Sequence, residues 1–469
     1  MQRFPCCWPA RSWNVFGGDI DEQKILQTIE AMARLRPYGY EYVNIDDNWQ
    51  SMQRAANGSL LPNELKFPHG IAHLAELAHA RSLKLGIYSA RGNQTCQGRP
   101  GSLGHYEIDA ASFAAWGVDY LKLDSCGGNG PYGSLSMVEQ YAMMRDALKV
   151  YSTVRPIYYS ICPYIGLSPH LSTAMASPSC CGCKAGASEC GPPLHPDQPC
   201  SGAYTLTNYM ANESGPALNP AYPVDALANS VLVEWKNNAN YFKREHPAGS
   251  LLVHGRPNKL GYCEGWLTNF DAAQDLTYSY LSGPGHWNDF DMLTVGCNNA
   301  TGNSTGHGEQ CQGHQTMTEQ RAQFALWCML SSPLILGHDI RYMDEDIFKI
   351  ITNRDLILLQ QDTVGHQAEV VRQTPGTRAQ QVLFKRLNLT ASPRAVALFN
   401  RDESTATIAL QRTDLQMSSS GQCACVRLVD LEMKAVVVAK HCGAGGVVYS
   451  PSVLAHQALV LRVYCVGSS

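Results

Sequence analysis

Helix-like and strand-like segments alternate over about the first 360 residues, and this alternation constrains the fold more than any other feature. A helix is predicted over 21–35, where Ile25, Ile29 and Met32 recur at helical spacing before Pro37. Alternation of this kind predicts a parallel sheet, and at this length a (β/α)8 barrel. The other predicted barrel elements are helices at 71–80 and 110–116 and strands at 40–45, 83–88, 119–124, 156–161 and 333–337.

The pattern changes after about Val364, where short alternating runs are separated by polar turns. These runs, at 381–384, 395–399, 405–409, 425–429 and 459–463, predict an antiparallel β-sandwich of about 100 residues. We therefore predict a barrel domain over 1–362 and a sandwich domain over 363–469. A Cys-, Pro- and Gly-rich insertion is predicted at about 165–225, and its cysteine spacing matches no usual zinc pattern, so no metal site is expected.

Composition excludes some functions and favours one compartment. The net charge of −4 argues against a nucleic-acid-binding protein, and the absence of an apolar run of about 18 residues argues against a membrane span. Eighteen cysteines favour an oxidising route, so an extracellular or vacuolar/lysosomal location is expected, with the leader absent from this chain. Asn-x-Ser/Thr sites, which agree with a glycoprotein, occur at Asn57, Asn93, Asn212, Asn299, Asn303 and Asn388.

Carboxylates follow several of the predicted barrel strands: Asp46 and Asp47, Asp124, and Asp289 with Asp291. A single aspartate at such a place is usually a helix cap or a turn residue. The carboxyl ends of barrel strands, however, converge on one mouth, where active sites lie. Crowded carboxylates are costly there unless they bind a ligand or perform acid–base chemistry.

Four long motifs carry a family resemblance. They are GYEYVNIDDNW at 39–49, LGIYS at 85–89, WGVDYLKLDSC at 116–126 and GPGHWNDFDML at 283–293. Together they resemble glycoside hydrolase family 27, the α-galactosidases and α-N-acetylgalactosaminidases. The resemblance implies a (β/α)8 barrel with a C-terminal sandwich. It also implies retaining hydrolysis of terminal α-galactosides through a covalent glycosyl-enzyme, without a cofactor.

The resemblance also implies residue roles. Asp124 takes the position of the nucleophile, and Lys122, on the same strand face, would bind the sugar and keep Asp124 ionised. Asp46 and Asp47 would accept hydrogen bonds from the sugar's 4- and 6-hydroxyls, and the indole of Trp13 would cover its apolar face. The other substrate-binding residues that the resemblance implies are Tyr88, Lys236, Asp291 and Met292.

The proton donor departs from the family pattern. Aligned on Trp235 and Lys236, the acid/base position is occupied by Asn240, and an amide cannot perform that proton transfer. Aligned on the preceding Asn-Ser, the nearest carboxyl is Glu234, and Asp225 is a further substitute. Three readings stay open: an active α-galactosidase, a galactoside-binding protein without catalysis, and an enzyme for α-N-acetylgalactosaminides or β-L-arabinopyranosides.

One of the family's two barrel disulfides is missing here. The family's bridge between the first two βα loops has lost both cysteines, because Gly18 and Asn48 stand at those positions. The resemblance implies that a second barrel bridge, between Cys96 and Cys126, is retained. The expected partner is a carbohydrate with a terminal galactose, with no nucleic acid or membrane, and a homodimer is left open.

Overall fold

The structure is a computed structural model. It describes residues 8–124, 126–127, 135, 137–152, 155–162, 231–234, 266–267, 270, 274, 286–297, 315–375, 377–388, 393–417, 423–443 and 445–467.

A parallel sheet of seven strands forms the first part of the molecule, and its strands pair in chain order. Each strand is short and each neighbour is parallel, as a barrel requires. The strands are β1 (Trp8–Arg11), β2 (Tyr40–Asn44), β3 (Lys84–Ala90), β4 (Tyr120–Asp124), β5 (Tyr158–Cys162), β6 (Val231–Glu234) and β7 (His286–Asp289).

The segment 335–337 closes the ring between the last strand and the first. On one side the Leu293 backbone N–H donates to Ile335 O at 2.7 Å, and on the other the Leu336 N–H donates to Pro9 O at 2.8 Å. Leu336 makes parallel bridges with Leu293 and with Ala10. The strand predicted at 333–337 is therefore reduced to a bridge, but it occupies the eighth position, and the predicted barrel is confirmed.

Helices surround the sheet, and their apolar faces explain why they lie there. In the helix over Glu22–Ala33, the side chains of Ile25, Ile29 and Met32 are buried, and the Asp21 carboxylate caps the first turn by accepting from Lys24 N–H at 2.8 Å. Among the described residues, the helices are α1 (Trp13–Phe16), α2 (Glu22–Ala33), α3 (Gly70–Ala80), α4 (Tyr106–Ala115), α5 (Met137–Tyr151), α6 (Met317–Met329), α7 (Glu345–Ile351) and α8 (Arg354–Gln360). Short 3-10 turns occupy Arg36–Tyr38, Ile340–Tyr342 and Arg412–Leu415. None of the described helices is long and apolar enough to cross a membrane.

The C-terminal part is antiparallel. Its strands are β8 (Glu369–Gln373), β9 (Gln380–Arg386), β10 (Arg394–Asn400), β11 (Ala406–Thr407), β12 (Leu410–Gln411), β13 (Cys425–Asp430), β14 (Ala435–Cys442), β15 (Val447–Tyr449), β16 (Ser452–Val453) and β17 (Ala458–Val466). A six-stranded sheet in the order β14-β13-β17-β10-β9-β8 is accompanied by two two-stranded sheets, β11-β16 and β12-β15, which confirms the predicted sandwich.

Residue alternation divides the six-stranded sheet between two cores. On β10, Ala395, Ala397 and Phe399 belong to the core shared with the barrel helices, whereas Val396 and Leu398 belong to the sandwich's own core. Successive strand residues point to opposite faces, so the uninterrupted apolar run of β10 buries both faces. The small alanines face the barrel, where they allow close packing of the sheet against α6.

Candidate active site

The strand β4 brings two charged side chains into the barrel. Lys122 and Asp124 are buried, 5% and 1% exposed, while the intervening Leu123 packs into the outer apolar core. Their parallel register places Lys122 opposite Tyr88 and Asp124 opposite Ala90 on β3. Alternation along β4 places Lys122 and Asp124 on the same face of the strand. Because Asp124 is the last residue of β4, the predicted nucleophile lies at the carboxyl end of the barrel.

Tyr88 orients the Asp124 carboxylate. The Tyr88 hydroxyl donates to Asp124 Oδ2 at 3.1 Å and lies 3.2 Å from Cys96 Sγ. Cys96 is disulfide-bonded to Cys126, as predicted, so the loops after β3 and β4 are joined beside the carboxylate. Because the two sulfurs are bonded to each other, they are not available as thiolate metal ligands next to Asp124.

Lys122 forms a buried ion pair with Asp46. Its Nζ lies 3.0 Å from Asp46 Oδ2, and the same ammonium sits 5.2 Å from the centroid of the Tyr88 ring. The Asp46 backbone is held in turn, because its N–H donates to Ser12 Oγ at 2.9 Å. One lysine thus connects the ends of β2, β3 and β4.

Asp47 accepts three hydrogen bonds at this edge. It accepts from the backbone N–H of Asn48 at 2.8 Å and of Gln97 at 3.0 Å, and from the Thr95 side chain. Burial, reinforced by the neighbouring negative charge of Asp46, nevertheless raises the pKa of Asp47 to about 6. Of the roughly four acceptor positions of a carboxylate, three are used, which leaves capacity for a hydroxyl donor.

The end of β7 supplies two further carboxylates. Asp289 is fully buried, and its Oδ1 accepts from Asp291 N–H at 2.9 Å; Asp291 Oδ1 accepts from Met292 N–H at 2.7 Å. The Asp291 backbone adopts a positive φ of 71°, an uncommon conformation for a residue with a side chain. Trp327 anchors this turn by donating from Nε1 to Asp291 O at 3.1 Å.

Arg11 was not predicted as a site residue. It ends β1, is buried, and places Nη2 4.0 Å from Asp289 Oδ2 and 3.2 Å from the Tyr120 hydroxyl. The sequence offered one signal for this residue: Arg11 is a cation at the end of one strand, and Asp289 is a carboxylate at the end of another.

The remaining predicted residues are distributed as follows. Trp13 begins α1, separated from β1 only by Ser12, and is half-buried. Glu234 is the last residue of β6, and its backbone pairs in register with that of Asp289. Asp225, Lys236 and Asn240, and the insertion at 165–225, lie outside the described residues.

Comparison with known proteins agrees with this arrangement. The family described as alpha galactosidase A matches residues 14–175 and 264–362, so the matched ranges contain Asp124 and Asp291 but not Glu234 or Asn240. An alpha-galactosidase of Coffea arabica is 32% identical over 425 residues, covering 89% of this chain and 84% of its own length. An alpha-galactosidase of Cyamopsis tetragonoloba is 31% identical over 419 residues, covering 88% and 76%.

A solved structure shows the same similarity in three dimensions. The crystal structure of alpha-galactosidase I from Mortierella vinacea superposes with a TM-score of 0.71 at 25% sequence identity. The match covers 99% of this chain and 98% of that one, and therefore includes both the barrel and the sandwich.

Proposed function

The chain belongs to the alpha-galactosidase family, glycoside hydrolase family 27, and on this basis we propose that it cleaves terminal α-D-galactosyl residues from oligosaccharides or glycoconjugates with retention. The observation that carries the proposal is the pair of contacts Tyr88–Asp124 and Lys122–Asp46 at three adjoining strand ends. The curated relatives reported above are all alpha-galactosidases, which favours galactosides over α-N-acetylgalactosaminides or β-L-arabinopyranosides.

Asp124 is proposed as the nucleophile. A retaining glycosidase needs a carboxylate that attacks the anomeric carbon. The burial of Asp124 at the barrel mouth and its hydrogen bond from Tyr88 support this role. The hydrogen bond from Tyr88 stabilises the ionised form of Asp124 and restricts the rotation of its carboxylate.

The same strand ends are proposed to recognise the sugar. Asp46 and Asp47 accept hydrogen bonds from the 4- and 6-hydroxyls, and Lys122 donates to the sugar while it stays paired with Asp46. Asp46 can serve both partners because a carboxylate accepts several hydrogen bonds at once. The other proposed contacts come from Trp13, Tyr88, Lys236, Asp291 and Met292.

The proton donor is proposed to come from β6 or from the residues on either side of it. Glu234 ends that strand beside Asp289 in register, which places its backbone at the same edge as the other carboxylates. Asn240 occupies the family's acid/base position by alignment, and Asp225 precedes the strand. If Asn240 stands in place of the proton donor, the chain binds galactosides but cleaves them slowly.

A series of aryl α-galactosides with graded leaving-group pKa, compared with raffinose, tests the proposal. With a working proton donor, hydrolysis of raffinose is ordinary and its pH profile is bell-shaped, and either Glu234→Gln or Asp225→Asn abolishes it. Without one, only activated aryl galactosides react, the covalent intermediate on Asp124 accumulates, azide rescues turnover, and Asn240→Asp restores activity on raffinose.

Asp124→Asn is the reference variant for that series. It loses several powers of ten of activity on every substrate, because an amide cannot attack the anomeric carbon and activation of the leaving group does not replace that attack. Cleavage of the most activated substrate by Asp124→Asn at more than about one thousandth of the wild-type rate would overturn the assignment.

The secretory route and the domain division stay proposals. The described disulfides Cys96–Cys126, Cys423–Cys465 and Cys425–Cys442 support an oxidising compartment. The described acceptor asparagines, Asn57, Asn93 and Asn388, are all exposed, as glycosylation requires. The proposed boundary at 362/363 falls between α8 and β8, and a homodimer remains a prediction.

A further inference from the structure

A hydrogen bond between Arg99 and Asn48 joins two loops at the barrel mouth. Arg99 Nε donates to Asn48 Oδ1 at 2.9 Å. Arg99 ends the tight turn 95–99, which is closed by a backbone hydrogen bond from Thr95 N–H to Arg99 O at 2.8 Å. The contact therefore fastens a compact turn after β3 to the residue that follows Asp47.

Asn48 is confined on its other side as well. Its backbone has a positive φ of 77°, and a β-carbon built on Gly18 would lie only 2.4 Å from Asn48 Nδ2. Asparagine tolerates this left-handed conformation better than most residues do. The Asn48 amide thus fills the space that the missing side chain of Gly18 leaves, with Arg99 bonded to its oxygen.

The same two loops hold Asp47. Asp47 Oδ1 accepts from Asn48 N–H at 2.8 Å, and Asp47 Oδ2 accepts from Gln97 N–H at 3.0 Å. One oxygen therefore depends on the residue that Arg99 fixes, and the other depends on the turn to which Arg99 belongs. A shift of either loop changes where the Asp47 carboxylate points.

We propose that Arg99 is a positioning residue for sugar binding, which acts through Asn48 to hold Asp47 in the orientation that accepts the sugar hydroxyl. The inference rests on the proposed function in one respect, that Asp47 contacts the sugar. At Asn48, where the resembling family has a cysteine bridged to the first βα loop, this chain has instead a side-chain hydrogen bond to the loop after β3.

Arg99→Met and Asn48→Ala test the proposal by steady-state kinetics on a nitrophenyl α-galactoside. Each variant raises KM about three- to tenfold, the range expected for one lost hydrogen bond, and changes kcat by less than about twofold. Arg81→Met is the matched control, because Arg81 follows α3 at the opposite end of the barrel and its removal changes the charge equally. The control keeps the wild-type KM.

A disulfide rescue separates positioning from direct substrate contact. Asn48 Cγ lies 3.4 Å from the β-carbon built on Gly18, so Gly18→Cys with Asn48→Cys places two sulfurs within bonding reach. The oxidised double variant, verified by mass before and after reduction, keeps a KM near that of the wild type. Adding Arg99→Met to it changes KM no further, because the bridge now holds residue 48.

Two results overturn the inference while leaving the proposed function intact. One is a wild-type KM in Arg99→Met, and the other is an equal rise in KM from Arg99→Met in the bridged background, which would make Arg99 a direct sugar contact. A wild-type protein that neither cleaves the galactoside nor shows a galactose-dependent thermal shift overturns the proposed function, and the inference with it.

Discussion

At the scale of single residues, Asp47 is the carboxylate whose ionisation should be visible in kinetics. Burial raises its pKa to about 6, so it is neutral below that pH and charged above it. A charged carboxylate accepts a stronger hydrogen bond from a hydroxyl than a neutral one does. We therefore expect KM for an α-galactoside to fall as the pH rises through about 6.

Asp47→Asn removes this inflection. Its KM is independent of pH in the same range and at pH 7 exceeds the wild-type value by about tenfold or more, since a hydrogen bond to a charged group contributes about 1.5–3 kcal/mol. Asp346→Asn, on the exposed side of α7, keeps the inflection. An inflection near pH 6 that persists in Asp47→Asn would assign it to another group.

At the scale of elements, one buried ion pair fastens the long loop after β2 to α4. Arg54 meets both oxygens of Asp109, at 2.6 and 2.8 Å, and also donates to the carbonyls of Gly58 and Gly101 at 2.7 Å. Asp109 is fully buried, and its burial raises its pKa even though Arg54 opposes that shift. The stability of this loop therefore depends on keeping a buried charge paired.

Arg54→Met is expected to destabilise the protein by about 3–5 kcal/mol at pH 7, because it leaves the Asp109 charge buried and unpaired. Without Arg54 the pKa of Asp109 rises further. A carboxyl with a raised folded-state pKa loses stability as the pH rises through that pKa, so the destabilisation is smaller at pH 4.5 than at pH 7.

Thermal unfolding at pH 4.5 and pH 7 measures the destabilisation caused by Arg54→Met. The double variant Arg54→Met/Asp109→Leu, which lacks both charges, is measured beside it. Removing both charges recovers most of the loss. Arg81→Met, which breaks an exposed pair with Glu30, leaves the midpoint almost unchanged. An equal loss for Arg54→Met at the two pH values would contradict the ion-pair explanation.

At the scale of the whole molecule, a buried histidine of the sandwich contacts α6 of the barrel. His456 Nδ1 lies 2.8 Å from Glu319 Oε1, and Glu319 also closes the capping box of α6 with Thr316. Although burial acts to raise the pKa of Glu319, the hydrogen bonds from His456 and Thr316 lower it. The interface therefore contains a carboxylate that is stabilised in its charged form.

His456→Gln is expected to lower the unfolding midpoint, by an amount equivalent to about 1–3 kcal/mol near pH 6. A carboxyl with a lowered folded-state pKa contributes its stability above the unfolded pKa and loses it as the pH falls through the folded value. The difference between variant and wild type therefore shrinks below about pH 4.5. His73→Gln, on α3, is the control, and a difference that is constant with pH would argue against the Glu319 pair.

Periodicity determined much of the fold. The helix predicted over 21–35 is observed at Glu22–Ala33, and the strand predicted over 119–124 at Tyr120–Asp124, because each buries one face or both and burial imposes its spacing on the sequence. The helix predicted over 110–116 starts earlier, at Tyr106, where polar residues dilute the pattern. The edge strand β14 was not predicted, because its side chains are mostly exposed and carry no alternation.

The sequence by itself, through its motifs, singled out Asp46, Asp47, Lys122 and Asp124 and the bridge from Cys96 to Cys126. Only the tertiary structure decided which of these side chains meet. Lys122 pairs with a carboxylate 76 residues away, and Tyr88 reaches Asp124 across 36. Local spacing reports which face of an element is buried, but a contact between strand ends exists only once the barrel has closed.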